Sequence, residues 1–311
     1  MRVLSIGEIL WDHCGTQRTL GGAPLNFSAH MSRLGNEVAI LSAVGRDDSG
    51  DEAVQNIKNL GVDLRFLQTS SEAATGSTSV VLSPNGEPTS RINRPAAYDF
   101  VKVDTFAMQE IGEYRPDWLY IGTLFHLQPE FALRTVHLRR SMPHLRVFYD
   151  INLRPDNWSL PLVKCLSSHA NIVKLNESEA HTLAEASGFR NFDASPEGFC
   201  HQWLRIFDLE CVCLTLGAAG CLLVTTKEVL TIPCAHIQVL DPLGAGDAFS
   251  AGFVHAWHHG LSMEHSGRVA NYMGGLVARK IGAIPEWSEQ ERELLQEQFA
   301  LQQNRDGIPA S

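Results

Sequence analysis

Short apolar runs recur along the chain, with longer stretches of helical pattern between them: VLSI at 3–6, VAILSAV at 38–44, WLYI at 118–121, RVFYDIN at 146–152, NIVKLN at 171–176 and CVCLTL at 211–216. Each is of strand length and nearly continuous in hydrophobicity. Without polar alternation, such strands are covered on both faces, as in a parallel sheet. Helix signals stand between them: Ser195 before Pro196, and Ser288 with Glu291 as a capping box. This alternation predicts an α/β fold whose parallel strands are joined by right-handed helical crossovers.

One stretch breaks the rhythm. Residues 77–92 read as two strands, STSVVL and PTSRI, around the turn SPNGE, and Asn85 with Gly86 is a strong hairpin signal. Adjacent strands with no helix between them do not belong to a doubly wound core. Together with residues 11–20 they predict a small sheet projecting over a site. The expected organisation is one α/β domain over 1–311, with lid segments at about 11–20 and 74–98 inserted in it, no internal repeat, and a tail frayed from about Gln302.

Composition narrows the class of partner. The chain has 311 residues, 25 Lys plus Arg against 35 Asp plus Glu, a net charge of −10 and no basic block. That balance argues against a surface tracking nucleic acid or anionic lipid and favours a small-molecule partner. The seven cysteines, Cys14, Cys165, Cys200, Cys211, Cys213, Cys221 and Cys234, are scattered, odd in number and without a CxxC pair. They read as reduced thiols in a cytoplasmic protein, each a small core residue. The opening MRVLSIG lacks the pattern of a signal peptide, and the longest uncharged apolar stretch, 211–224, contains Gly217 and Gly220 and is too short to cross a bilayer. A two-fold homodimer is the expected form for a soluble oligomer, with no residue that decides it.

Residues 241–253, DPLGAGDAFSAGF, carry the clearest chemistry. They follow the strand-like HIQVL and open a helical stretch, so Gly244, Ala245, Gly246 and Asp247 fall at a strand-to-helix turn. Small residues there let backbone N–H groups approach a phosphate, and a helix N-terminus adds unpaired donors and positive potential. Asp247 places a carboxylate where it could take a proton from an attacking hydroxyl, or where it merely complements the helix dipole.

Taken whole, this segment resembles the C-terminal signature of the PfkB, or ribokinase-like, family of carbohydrate kinases. Residues 21–35, GGAPLNFSAHMSRLG, resemble the family's N-terminal signature; GEILWD resembles its fructokinase branch; VGRDDSG at 44–50 and GAIP at 282–285 extend the likeness to nearly the whole chain. The resemblance implies a ribokinase-like fold, a doubly wound, mostly parallel sheet flanked by helices, with a small β-sheet lid. It implies ATP as co-substrate, with Asp247 as catalytic base and Gly244, Ala245 and Gly246 as an anion hole stabilising the transferring phosphoryl. There is no Walker loop and no protein-kinase HRD or DFG set.

The other roles follow from the same resemblance. Asn176 and Glu179 match an NxxE motif that helps hold Mg²⁺ through water, while the same spacing is also that of a helix cap. Lys174 stands where it approaches a phosphate or is a solvated strand-end lysine. Thr215, Gly217 and Gly220 match a nucleotide loop, although a hairpin between CVCLTL and CLLVT explains the glycines equally well; Asn271 falls where an adenine pocket is lined. Asp241 matches a monovalent-cation position, and Pro242 and Leu243, which replace two threonines, put potassium dependence in question.

For the sugar, the matched residues are Asp12, Gly21, Gly22, Asn26, Arg94 and Arg154. A carboxylate and an amide suit vicinal hydroxyls, and paired glycines admit a ring against the backbone. The expected reaction is phosphorylation of a primary hydroxyl, with fructose first by analogy of GEILWD and DINLRP. Another sugar, a keto sugar acid or a nucleoside is the alternative within the enzyme class, and a non-catalytic sugar- or nucleotide-binding regulator the alternative outside it. His255, His258 and His259 lack an acidic or cysteine ligand and read as a solvated helix face.

Overall fold

Every one of those apolar runs becomes a strand. The structure, a computed structural model, describes residues 1–14, 17–82, 88–188 and 195–306. Its packing separates into two units, the first comprising Met1–Val147 with Arg154–Trp158, the second Phe148–Leu153 and the described residues after Trp158.

In the first unit the chain runs through β1 (Arg2–Ile6), β2 (Leu10–Cys14), β3 (Gln17–Gly21), α1 (Ala23–Arg33), β4 (Glu37–Gly45), α2 (Asp48–Asn59), β5 (Leu67–Ser70), β6 (Gly76–Leu82), β7 (Pro88–Asn93), α3 (Thr105–Tyr114), β8 (Trp118–Gly122) and α4 (Pro129–Ser141). Strand β1 lies between β4 and β8, parallel to both, with Leu4 opposite Ala39 and Leu119, and β5 adds in parallel to β4. These strands are buried because helices cover them: Phe27 of α1 stacks on Tyr120 of β8 with ring centroids 4.0 Å apart. Ser5, polar within a buried strand, donates to the Pro24 carbonyl at 3.0 Å, so its hydroxyl is satisfied.

The stretch that broke the rhythm is a separate sheet, ordered β3-β2-β6-β7. Its β2–β3 and β6–β7 pairs are antiparallel hairpins, and β2 meets β6 in parallel. The hairpin turn with Asn85 and Gly86 lies outside the described residues.

In the second unit, β9 (Arg146–Asp150), whose last residues belong here, is followed by α5 (Leu160–Ser167), β10 (Ile172–Asn176), α6 (Glu177–Ser187), α7 (Pro196–Phe207), β11 (Cys211–Thr215), β12 (Cys221–Val224), β13 (Val229–Ile232), α8 (Ala245–His258), α9 (Met263–Ala278) and α10 (Glu289–Asp306). Strands β9, β10 and β11 are parallel, whereas β12 and β13 continue as an antiparallel meander. The two helix signals hold. Ser195 caps α7 by accepting from Gly198 N at 3.1 Å, and Ser288 and Glu291 exchange backbone and side-chain bonds at 2.7 and 3.2 Å, each cap worth about 1 kcal/mol.

Three expectations are corrected. HIQVL is irregular rather than a strand, and what holds it is Leu240 and Asp241 donating to the Ala278 carbonyl at 2.8 and 3.2 Å. Helix α10 continues to Asp306, past the point where fraying was expected. His255 is half-buried, packed against the His259 and Phe299 rings, and burial with the neighbouring histidines pushes its pKa down to about 3. Cys200, Cys211, Cys213 and Cys221 are buried free thiols, as small core residues should be, but Cys165 is exposed and Cys234 only half-buried, so the core reading fails for those two. Among the described residues no helix is long and apolar enough to cross a membrane.

Candidate active site

The DPLGAGD segment is shaped by two constraints. Asp241 accepts from Leu243 N at 3.0 Å and from Gly282 N at 2.9 Å, tying the turn to the GAIP loop. Gly244 then takes φ +76°, and a Cβ there would lie 2.5 Å from the Cβ of Ala283. Both the left-handed backbone and the absence of space require glycine. Gly244 is the N-cap of α8, and no side chain caps this helix. The first-turn amides are therefore not occupied by a capping side chain, the condition for receiving an anion. Asp247 sits half-buried in that first turn.

A cavity of about 630 Å³ opens beside this turn, within the usual size of a small-molecule site. Ala245 and Gly246 line it, with Asn176, Thr215, Gly217, Gly220 and Asn271. The structure thus brings together the anion turn and the residues expected around the nucleotide. Several have structural duties as well. A Cβ on Gly220 would lie 2.1 Å from the Ile232 carbonyl oxygen, so the hairpin accounts for it, whereas a Cβ on Gly217 would meet open space. Asn271 donates to the Ile232 carbonyl at 2.9 Å, and Thr215 to the Leu175 carbonyl at 3.4 Å.

Asn176 and Glu179 form a capping box at the start of α6: Glu179 N donates to Asn176 Oδ1 and Asn176 N to Glu179 Oε2, each at 2.9 Å. The other carboxylate oxygen, Oε1, accepts from Leu153 N at 2.8 Å. Burial raises the Glu179 pKa against the lowering influence of Lys174 and these amides. Both Glu179 oxygens are therefore already engaged by backbone amides, so that a hydrated magnesium ion, met through its water shell, suits this pair better than a bare one.

Lys174 is neither solvated nor among the residues lining the cavity. It is buried, with Nζ 3.1 Å from each carboxylate oxygen of Asp150. Burial alone would depress its pKa, but Asp150, Glu179 and Asp247 outweigh that and the pKa is raised. Asp150 and its partner Ser250 were missed in the sequence. The available signal was a charge at the end of the apolar run RVFYD facing a lysine inside IVKLN.

In the first unit the expected sugar residues gather around Gly21. A Cβ there would lie 2.9 Å from Asp12 Oδ2 and 3.6 Å from Asn26 Oδ1, so the two polar side chains converge on one glycine. Gly22, at φ +106°, presses on the Glu8 carbonyl, where a Cβ would lie 2.4 Å away. Burial raises the Asp12 pKa, opposed by the Thr78 hydroxyl and by the charges of Arg154 and His13. Arg94 stands apart from this group: its guanidinium forks onto the buried Asp99 carboxylate and donates to the Leu124 carbonyl at 3.2 Å. Glu8, 4% exposed, received no role from the sequence although it lies in GEILWD. It is close enough to help burial raise the Tyr98 pKa.

Comparison with known proteins places this architecture. The chain is 28% identical over 280 residues to the aminoimidazole riboside kinase of Salmonella typhimurium, covering 85% of this chain and 83% of the relative. It is 27% identical over 242 residues to a fructokinase of Salmonella typhimurium, covering 75% of each. The fructokinase of Xylella fastidiosa, solved with bound ATP, superposes with a TM-score of 0.80 at 23% identity, over 96% of this chain and 98% of that one. A model described as pfkB family carbohydrate kinase matches residues 13–290. With that match running from within β2 to the start of α10, the chain belongs to the pfkB family and is an ATP-dependent carbohydrate kinase.

Proposed function

We propose that this kinase transfers the γ-phosphoryl group of ATP to a primary hydroxyl of a small carbohydrate, with fructose as the leading acceptor. The observation that carries the reading is the uncapped N-terminus of α8, whose Ala245 and Gly246 border the cavity in the second unit. The acceptor oxygen forms a bond to the γ-phosphorus as the bond to the bridging oxygen breaks. ADP leaves with that electron pair and Asp247 takes the hydroxyl proton. Amides of the 244–246 turn stabilise the charge on the transferring group. A Mg²⁺ ion carried by the phosphates would neutralise charge there, with Asn176 and Glu179 meeting its water shell. A monovalent cation at Asp241 would share the carboxylate with the Leu243 and Gly282 amides.

The carbohydrate is assigned to Asp12, Gly21, Gly22 and Asn26, with Arg154 as an electrostatic neighbour. Because Arg94 is held by Asp99, it serves as a clamp on the loop more than as a direct ligand. The small sheet is assigned as a lid over these carbohydrate residues, and its closure would exclude water from them. A riboside acceptor is the second reading, favoured by the relative at 28% identity.

Coupled ADP release over a panel of fructose, ribose, a keto sugar acid and ribosides, with and without Mg²⁺, separates the acceptors. Asp247→Asn is expected to cut turnover by about 10²–10⁴ while nucleotide binding persists. Retained turnover would remove Asp247 from the role of base.

A further inference from the structure

We propose that Lys174 is a positioning residue for phosphoryl transfer: anchored by Asp150, its buried side chain braces the 244–247 turn from behind rather than ligating the nucleotide phosphates. The inference rests on the reading of that turn as an anion hole.

The placement begins with the strands. Asp150 and Lys174 are direct register partners on the parallel strands β9 and β10, near the carboxyl ends where α/β sheets place their ligands. Asp150 is 0% exposed and Lys174 6%. Nζ lies 3.1 Å from each Asp150 oxygen. Ser250, one turn along α8 from Gly246, completes the cluster: its Oγ is 3.2 Å from Asp150 Oδ2 and 3.0 Å from the Gly246 carbonyl oxygen. One hydroxyl thus links the strand-end carboxylate to the backbone of the anion turn.

The contact with Gly246 is closer still. A Cβ on that residue would lie 2.9 Å from Nζ, so the ammonium rests against the middle of the turn and a side chain there would displace it. Gly246 is glycine for Lys174 as much as for a phosphate.

Electrostatics gives the arrangement its purpose. Three carboxylates, Asp150, Glu179 and Asp247, act on this one ammonium. The ammonium offsets part of that negative charge beside the turn, in addition to whatever a phosphate-borne Mg²⁺ neutralises. Stability does not explain the pair, since buried ion pairs are often matched or exceeded by apolar packing of the same volume. Its two residues interrupt strands whose neighbours are Phe148, Tyr149, Val173 and Leu175. Buried, specifically paired charges of this kind gather where chemistry is done.

The test compares Lys174→Met with the double variant Lys174→Met, Asp150→Asn in the full chain, using thermal unfolding, calorimetric nucleotide affinity, and kcat and KM from ADP release. The single variant leaves Asp150 buried without its cation and is expected to unfold at lower temperature. The double variant removes both charges, retains an acceptor for Ser250, and is expected to regain most of that stability. Its kcat should stay down about 10²-fold while KM for ATP moves less than about threefold, the signature of a contribution felt mainly in the transition state. Recovery of kcat with stability in the double variant would reduce the pair to a structural role and overturn the proposal. A rise in nucleotide Kd of about tenfold with kcat intact would make Lys174 a phosphate ligand and also overturn it. Asp247→Asn, run in parallel, reports on the base reading separately, because retained turnover there leaves the comparison of the two Lys174 variants intact.

Discussion

Gly244→Ala tests the turn with the least chemical change. The new methyl carbon would start 2.5 Å from Ala283 Cβ, 2.6 Å from Ala283 Cα and 2.8 Å from its carbonyl oxygen. Ordinary carbon–carbon contact is about 3.5–4.0 Å, so turn and GAIP loop must separate by roughly 1 Å. Two energy terms add. Holding alanine in the left-handed region costs about 1–2 kcal/mol, and forcing an extra methyl against backbone costs about 1–3 kcal/mol. The expected loss of stability is therefore about 2–5 kcal/mol, measured by urea unfolding. Because displacement of about 1 Å at a reacting centre can cost 10²-fold in rate, kcat for ADP release should fall by about that factor. Adding Ala283→Gly removes the closest clash but leaves the Cα and oxygen contacts and the backbone strain, so it should return only part of both losses. Wild-type stability together with wild-type kcat would refute the claim that this turn is tightly braced. A large stability loss with unchanged kcat would refute its part in phosphoryl transfer.

Two further outcomes are expected. Gly246→Val places its side chain against Lys174 Nζ, starting from a Cβ at 2.9 Å, and should lower kcat by roughly 10²-fold or more; normal kinetics would show that the phosphate lies elsewhere. His126 is buried, accepting from Thr135 at Nε2 (2.9 Å) and donating from Nδ1 to the Gly122 carbonyl (2.7 Å), and burial lowers its pKa from 6.5 to about 4. The unfolded chain therefore binds a proton below pH 6.5 that the folded chain refuses until about pH 4, so stability falls as the pH drops through that window. From about pH 7 to about pH 4.5 the His126 share is about 2 kcal/mol. Denaturation of His126→Asn, which keeps a donor for Gly122, should show a pH slope shallower by that amount, and an unchanged slope would assign the acid sensitivity to other groups.

The strands were legible because burial on both faces leaves a local mark. RVLSI, EVAILSAVG and WLYIG are apolar over strand length, and nothing beyond composition along the chain is needed to read them. The caps at Ser195 and Ser288 are equally local, since donor and acceptor lie within four residues. HIQVL was misread for the converse reason. It has the composition of a strand, but its amides at Leu240 and Asp241 go to the Ala278 carbonyl, distant in sequence.

The candidate site divides along the same line. By itself the sequence determined the family likeness, the α/β class, the insertion of a small sheet and the glycine turn ahead of Asp247, all properties of neighbouring residues. Only the tertiary structure decided that Lys174 is buried on Asp150, that Glu179 has both oxygens on backbone amides, that Arg94 belongs to Asp99, and that Asp12 and Asn26 converge on Gly21. A lysine in a strand reads the same whether water or a carboxylate surrounds it. Its partner stands 24 residues away, and the desolvation that makes the pairing obligatory arises only when helices close over the strand ends.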